Sequence, residues 1–224
     1  MIPWELLDSS TIPGTREEMT LHRRDQEYSI RVDRQELMNS RVHGSEESLA
    51  RISCSRVADR RSPHVLIGGL GMGYTLRAAL DHSSATSRIT VVELVSTVVK
   101  WNREWLAELA GQPLEDPRVS VLEADVAEVL RSTTDEYDAV VLDVDNGPEG
   151  FTRKSNDWLY ASSGLEATRT ALRQQGVLSV WSSTPDRSFS RRLRRAGFCV
   201  DDLRVPVGPS EGGEHTVWVA ERQL

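Results

Sequence analysis

The chain has 224 residues, of which 38% are hydrophobic, so it can bury one good core and carry a small appendage. Its formal net charge of −7 argues against a nucleic-acid partner and favours a cationic or zwitterionic small-molecule substrate. The two cysteines and five histidines lack the spacing of metal ligands or of a disulfide framework, so we expect no metal. No apolar run approaches the ~20 residues of a membrane span, and the N-terminus has no signal-peptide pattern. We therefore expect a cytoplasmic protein with no membrane partner.

The N-terminal region predicts a small cap. Polar and apolar residues alternate over Glu17 to Arg24 and over Glu27 to Met38, which predicts a β-hairpin. Ser45 to Val57 carries apolar residues at helical spacing, with two acids in its first turn. Because no low-complexity linker follows, we expect a hairpin-and-helix cap over residues 1–60 that closes onto one main domain over residues 61–224.

A strand, a glycine-rich turn and a helix are predicted over His64 to Leu80. The apolar start of this stretch is interrupted by four glycines, which are Gly68, Gly69, Gly71 and Gly73. Glycine allows positive φ and lets a ligand approach the main chain, while the N-terminus of the following helix offers free N–H groups. The pattern is one residue shorter than the dinucleotide-binding fingerprint, so it indicates a nucleotide site only if the surrounding sequence agrees.

Strands and helices then alternate to the end of the chain. The predicted strands lie at residues 64–67, 88–94, 119–122, 137–142, 177–181, 199–205 and 215–220. Continuous apolar strands separated by amphipathic helices are typical of a parallel sheet covered on both faces. The connection at residues 206–213 is too short for a crossover helix, so the last strand should run antiparallel to its predecessor. We predict an α/β fold with a Rossmann-like, seven-stranded, mostly parallel sheet.

Acidic residues follow three neighbouring strands of this sheet. Glu93 ends the second predicted strand, about twenty residues after the glycines, where an acid accepts hydrogen bonds from ribose hydroxyls. Asp125 follows the third strand, and Asp143 and Asp145 follow the fourth. Since open α/β sheets bind ligands at the carboxyl ends of their strands, these acids and the glycine turn should share one cleft.

Five segments in order, from about Val65 to Trp181, carry a family resemblance. They are GGLGMGYTLR, VVELVSTVVKWNREWL, EADVAEVL, YDAVVLDVDNGPEGF and ALRQQGVLSVW. With them the chain resembles the class I S-adenosylmethionine-fold transferases, and especially the spermidine synthase group of aminopropyltransferases. The glycine segment alone is shared by many nucleotide-binding folds, whereas the ordered set is fairly specific.

The resemblance implies a cofactor site at the glycine turn and at the strand ends. Its residues would be Gly68, Gly69, Gly71, Gly73, Glu93, Leu94, Asp125, Val126 and Asp143. By the same resemblance Glu93 would hold the ribose hydroxyls, and Asp125 with the N–H of Val126 would contact the adenine edge. The cofactor would be S-adenosylmethionine or its decarboxylated form.

The resemblance also implies an acceptor site. Asp143 matches the family acid that deprotonates and orients the attacking amine, and Asp145 lies one residue out of step with a second family acid. We therefore name both as candidate catalytic residues. His43, Glu46 and Glu47 occupy the region of a family Tyr-His-Glu segment, of which only the acid is retained, and they are the candidate substrate-binding residues.

One departure from the family bears on the cofactor. The family places an aspartate in the glycine loop to hold the amine of the decarboxylated cofactor, and this position falls on Gly71. Because an aspartate there would repel a carboxylate, Gly71 favours intact S-adenosylmethionine.

Our first hypothesis is a transferase that methylates a small amine-bearing substrate. An aminopropyltransferase that uses the decarboxylated cofactor is the alternative, and transfer of a 3-amino-3-carboxypropyl group is a third chemistry for the same pocket. A nucleoside-binding protein without turnover is a hypothesis of a different class. The sequence leaves the oligomeric state open, and a homodimer is compatible with it.

Overall fold

The computed structural model describes residues 2–144, 157–207 and 213–223. These residues form a small antiparallel sheet, a connecting helix, and a large mixed sheet with helices on both faces. The fold class predicted from the sequence is confirmed, including the cap that precedes the main sheet.

The cap is a four-stranded antiparallel sheet in sequence order. Its strands are β1 (Glu5–Thr11), β2 (Glu18–Arg24), β3 (Glu27–Val32) and β4 (Gln35–Asn39). The alternating pattern buries Leu21 and Ile30 on the side that faces the main domain. The cap is larger than the predicted hairpin: β1 was not expected, and a turn with positive φ at Asp33 and Arg34 divides the second predicted arm into β3 and β4.

The main sheet has seven strands in the spatial order β10-β11-β9-β8-β5-β6-β7. Their bounds are β5 (His64–Gly68), β6 (Arg88–Glu93), β7 (Val119–Glu123), β8 (Tyr137–Leu142), β9 (Leu172–Ser182), β10 (Phe198–Pro206) and β11 (Glu214–Arg222). β11 pairs antiparallel with both of its neighbours, which confirms the predicted reversed strand. β9 begins at Leu172 rather than at Val177, because a register shift opposite Tyr137 and Ala139 lets the earlier residues join the sheet.

Helices cover both faces of this sheet. They are α1 (Gly44–Arg56), α2 (Tyr74–Asp81), α3 (Ser96–Arg103), α4 (Val126–Ser132), α5 (Asp157–Tyr160), α6 (Ser162–Ala171) and α7 (Arg187–Arg195). Within β5, Val65 and Ile67 belong to the core under α1 to α3, whereas Leu66 belongs to the core under α4 to α7. Successive strand side chains thus serve opposite faces, which explains the continuous apolar run in the sequence. In the part of the chain that the structure describes, no helix is both long and apolar enough to cross a bilayer.

The turn after β5 is tied to the two strands beside it. Gly69 N donates to Val92 O at 2.8 Å, and Asp143 N donates to Gly68 O at 2.8 Å. Gly69 has φ +90°, and a Cβ at this position would lie 2.3 Å from the carbonyl oxygen of Asp143. Only glycine can occupy position 69 so close to the Asp143 carbonyl. The absence of a side chain therefore sets the distance between the glycine turn and the end of β8.

Replacing Gly69 by alanine should therefore destabilise the protein more than positive φ alone explains. Gly111→Ala is the matched control, because Gly111 also has positive φ (+67°) but has no atom within 4 Å of an added Cβ. We expect a loss of about 1–2 kcal/mol in the free energy of unfolding for Gly111→Ala, and of more than about 3 kcal/mol for Gly69→Ala. Urea unfolding measures both, and equal losses would contradict the steric role of Gly69.

Candidate active site

A cleft lies at the carboxyl ends of β5, β6 and β7, under the cap. Its empty space, including the part that is open to solvent, is about 850 Å³. We call it the glycine-loop cleft; the cap closes it with Ile12, Met19, Ile30, Val32, Leu37 and Met38. On the main-domain side it is lined by the predicted residues Gly69, Gly71, Glu93, Leu94, Asp125, Val126 and Asp143. The structure thus brings most of the predicted cofactor residues to one cleft.

Glu93 is a buried acid at the end of β6, with a relative exposure of 8%. Its Oε2 accepts a hydrogen bond from Leu70 N at 2.9 Å, and its Oε1 accepts one from Val95 N at 2.8 Å. Burial raises the pKa of Glu93, and these backbone donors oppose the increase. The residue therefore shapes the glycine turn as well as lining the cleft, a supporting role that the sequence analysis did not predict.

Asp125 has two functions in the structure. It is the N-cap of α4, where its Oδ1 accepts from Ala127 N at 2.8 Å, and it also lines the cleft. Val126 begins the helix beside it, so the pair presents a carboxylate and an N-terminal helix turn to the same space. This combination suits a group that both accepts and donates hydrogen bonds.

The four glycines divide into two kinds. Gly69 and Gly71 line the cleft, whereas Gly68 and Gly73 do not. A Cβ at Gly68 would press on Val126 at 3.1 Å, and a Cβ at Gly73 would approach Asn102 Oδ1 at 3.0 Å. Gly68 and Gly73 are thus required for close packing of the turn rather than placed to touch a ligand.

Gly71 lies under a methionine of the cap. It has φ +52°, and a Cβ there would lie 3.1 Å from Met38 Sδ in β4. The position where the family carries an acid is therefore covered by an uncharged thioether. The sequence shows that the family's acid is absent at position 71, but it does not show that Met38 covers this position. The contact between Met38 and Gly71 joins two distant parts of the chain.

A second cavity, which we call the Asp143 cavity, adjoins the cleft. Its empty space, including the part that is open to solvent, is about 870 Å³. The two spaces share Leu37, Met38, Gly71, Asp143 and Val144. Other walls of the second cavity come from α1, α2 and the ends of β9 and β11, through Glu46, Tyr74, Thr75, Trp181 and His215. A molecule in the cleft could therefore meet another in the cavity beside Asp143.

Both carboxylate oxygens of Asp143 are hydrogen-bonded. Thr75 Oγ1 donates to Oδ2 at 2.5 Å, and Trp181 Nε1 donates to Oδ1 at 2.7 Å. Burial raises the pKa of Asp143, while these two donors act in the opposite direction. The sequence pattern predicts Asp143 as a site residue but predicts neither of its hydrogen-bond donors. Asp145, the other candidate catalytic residue, lies outside the described residues.

Glu46 is a second acid in the Asp143 cavity. Burial, followed by the charge of Asp143, raises its pKa to about 7, although Ser45 Oγ donates to Glu46 Oε2 at 2.6 Å. The two carboxylates face one space, and the charge of Asp143 disfavours ionisation of Glu46. A cation placed between them would favour the ionised form of both.

The other two candidate substrate residues are placed differently. His43 and Glu47 line neither space; His43 Nδ1 and Glu47 Oε1 lie 2.8 Å apart at the surface. Their prediction as direct contacts is not supported, because the first turn of α1 directs Glu46 inward and Glu47 outward. The His43 ring stacks on Tyr74 with a centroid distance of 3.9 Å, and Tyr74 lines the cavity.

The cavity also contains two aromatic residues that the sequence analysis missed as site residues. Trp181 and His215 lie with ring centroids 5.1 Å apart. The sequence offered one indication of Trp181, because this residue ends the predicted strand at residues 177–181. In the structure that strand pairs with β8, which ends just before Asp143. His215 follows from the antiparallel pairing of β11 with β9, which a parallel-sheet argument does not reveal.

Comparisons with known proteins agree with this geometry. The spermine/spermidine synthase domain matches residues 45–187, which is more than half of the chain. Polyamine aminopropyltransferase 1 of Streptomyces coelicolor is 31% identical over 160 residues, covering 67% of this chain and 29% of that protein. Polyamine aminopropyltransferase 2 of Pseudomonas aeruginosa is 32% identical over 154 residues, covering 64% of this chain and 42% of that protein. The chain thus spans less than half the length of these relatives.

Solved structures share the fold. Spermidine synthase from Thermotoga maritima superposes with a TM-score of 0.76 at 19% identity, covering 97% of this chain and 72% of that one. A spermidine synthase in complex with the transition state analogue AdoDATO gives a TM-score of 0.74 at 21% identity with the same coverage. The resemblance inferred from the sequence is confirmed, and the chain belongs to the spermine/spermidine synthase domain family.

Proposed function

We propose that this protein transfers an aminopropyl group from decarboxylated S-adenosylmethionine to an amine acceptor. The observation that carries the proposal is the junction of two spaces at Asp143: a cleft with nucleoside-type contacts and a cavity with two acids. The curated relatives are named polyamine aminopropyltransferases, which supports this alternative from the sequence analysis and gives no support to methylation.

The residues of the glycine-loop cleft fit the nucleoside part of such a donor. Glu93 and Asp125 provide carboxylate oxygens for hydroxyl and amino groups, and Leu94 and Val126 provide apolar walls. The donor would supply a carbon made reactive by its bond to a positively charged sulfur. The chain would supply the position of the acceptor and a destination for its proton.

We assign Asp143 as the residue that accepts this proton. The attacking nitrogen forms a bond to the activated carbon while the carbon–sulfur bond breaks and its electron pair stays on sulfur. The nitrogen then carries one proton too many, and a carboxylate whose pKa is raised by burial accepts it more readily than an exposed one. Glu46 would balance the charge of a cationic acceptor on the same side of the cavity.

One observation favours a second candidate, which is transfer from intact S-adenosylmethionine. Met38 covers Gly71, so this part of the cleft offers no charge to hold the amine of a decarboxylated tail. The same neutral surface would not repel a carboxylate. The anchoring charge for an aminopropyl tail would then have to come from Asp143 or Glu46.

A donor and acceptor panel tests the proposal. The purified protein is incubated with either form of the cofactor and with monoamines, diamines or triamines, and mass spectrometry follows new amines and the thioether nucleoside. Aminopropylated product from the decarboxylated donor alone supports the proposal. Methylated or aminocarboxypropylated product supports the second candidate. Nucleoside binding without any product overturns both.

Replacing Glu93 should weaken the binding of the donor. Glu93→Ala removes a charged acceptor from the cleft and also releases two backbone donors of the glycine turn. We expect a loss of ~2–4 kcal/mol in binding free energy by calorimetry. Glu123→Ala is the control, because this acid ends the neighbouring strand but lines neither space. Unchanged affinity in the Glu93 variant would rule out the cleft as the donor site.

Replacing Asp143 should affect turnover far more than binding of the nucleoside part of the donor. Asp143→Asn keeps the shape of the side chain but removes its charge and basicity. Turnover at saturating donor should fall by a factor on the order of 10² to 10⁴, with nearly unchanged calorimetric affinity for the nucleoside. Equal turnover by the variant and the parent would assign proton transfer to another residue.

Glu46 should make acceptor binding depend on pH. Its folded-state pKa of about 7 lies above the ordinary 4.5, so its ionisation during binding of a cation costs free energy below pH 7. Between pH 6 and pH 8 the acceptor affinity of the parent should rise by up to about tenfold more than that of Glu46→Gln. Without acceptor, the contribution of Glu46 to stability should fall as pH rises from 4.5 to 7, since the folded state keeps a proton that the unfolded state loses. Urea unfolding of both proteins checks that sign, and parallel curves would contradict it.

A further inference from the structure

Trp181 makes a directed contact with the proposed proton acceptor. Its indole Nε1 donates to Asp143 Oδ1 at 2.7 Å, across the cavity from the Thr75 Oγ1 that donates to Oδ2. The contact follows from the sheet, because Leu142 at the end of β8 is opposite Val180 of β9. The residue after Leu142 is Asp143, and the residue after Val180 is Trp181. The hydrogen-bond donor Trp181 therefore lies on a strand and not on a loop.

The indole itself is held from the other side. Trp181 pairs with Val217 of β11, and the His215 ring lies against it with a tilt of 33°. A hydrogen-bond donor that is held by the backbone and by a neighbouring ring loses little conformational freedom when it bonds to a carboxylate. Rotation of the Asp143 carboxylate would break either this bond or the one from Thr75.

We propose that Trp181 is a positioning residue that fixes the plane of the Asp143 carboxylate toward the acceptor and stabilises its ionised form. The inference rests on the proposed function of Asp143 as proton acceptor. With one lone pair of each oxygen engaged, the remaining lone pairs serve the acceptor nitrogen. Without the indole N–H, the carboxylate turns more freely and binds its proton more tightly.

Other titratable groups line the cavity beside Asp143. Glu46 lines it from α1, Tyr74 from α2 and His215 from β11, whereas Glu47 and His43 lie at the surface. Burial lowers the pKa of His215, so its ring is already neutral at the usual pKa of histidine. Burial raises the pKa of Tyr74 to about 12, so its hydroxyl keeps its proton. Glu46 titrates in the measured range. Each variant is therefore also prepared in the Glu46→Gln background.

The test compares Trp181→Phe with Trp218→Phe. Both remove an indole N–H that donates to a side chain, but Trp218 donates to Ser190 away from the two spaces. For Trp181→Phe we expect the acidic limb of the kcat/KM profile to move up by about one pH unit and kcat at pH 7 to fall about tenfold. Donor affinity should stay within about twofold, because Trp181 does not line the glycine-loop cleft. Trp218→Phe should leave the pH limb in place, and a Trp181→Phe profile that superimposes on the parent profile overturns the proposal.

A measurement without turnover separates this inference from the proposed function. In protein labelled with ¹⁵N in its six tryptophans, the indole signal that is lost in Trp181→Phe belongs to Trp181. We expect this signal to shift with pH in the parent and in Glu46→Gln, and to stay constant when Asp143→Asn is added in the Glu46→Gln background. If no aminopropyl transfer is found but the signal titrates, the positioning contact stands and the proposed function fails. A signal that does not titrate overturns the inference. If Trp181→Phe does not fold, the signal is assigned instead by its response to Asp143→Asn.

Discussion

The site depends on one close approach of two backbone segments. The glycine turn after β5 and the residue that ends β8 come so near that a Cβ at Gly69 would lie 2.3 Å from the carbonyl oxygen of Asp143. The bond from Asp143 N to Gly68 O fixes the same junction from the opposite direction. Because Asp143 and Gly71 both lie at this junction, the glycine-loop cleft and the Asp143 cavity meet there. A residue with a side chain at position 69 would push these two backbone segments apart and strain the turn.

This junction creates an electrostatic problem that the surrounding residues resolve only in part. Three acids are wholly or partly withdrawn from water, and each is stabilised in a different way. Glu93 accepts backbone N–H groups, Asp143 accepts side-chain donors, and Glu46 has one serine donor and a pKa of about 7. Since buried carboxylates of like charge raise each other's pKa, a cationic acceptor is the ligand that relieves the most repulsion. The charges of the cavity thus support the proposed amine acceptor.

The sequence was sufficient for the fold and for the residues that share one strand edge. Apolar strands, glycines and strand-end acids obey local rules, so Gly69, Glu93, Asp125 and Asp143 could be placed from spacing and resemblance. Local rules do not give side-chain direction at a helix start, which is why Glu46 and Glu47 could not be told apart. They also do not give strand order, and Trp181 and His215 reach the cavity only because β9 lies beside β8 and β11 lies beside β9 in the sheet. The extra cap strand β1 escaped prediction because its sequence, ELLDSST, lacks a clear alternation.

The contact between Met38 and Gly71 shows why donor specificity cannot be argued from the glycine loop alone. An aspartate at position 71 would begin with a Cβ 3.1 Å from Met38 Sδ, so it would fit only if the flexible methionine moved away. A carboxylate set against a thioether would also lose water without gaining a donor. The residue in the loop and the residue in β4 therefore constrain each other: glycine at 71 allows methionine at 38, and methionine at 38 disfavours an acid at 71. The tail of the donor would accordingly be selected by the cap and the main domain together, and the charge that anchors it would have to come from the Asp143 side of the junction.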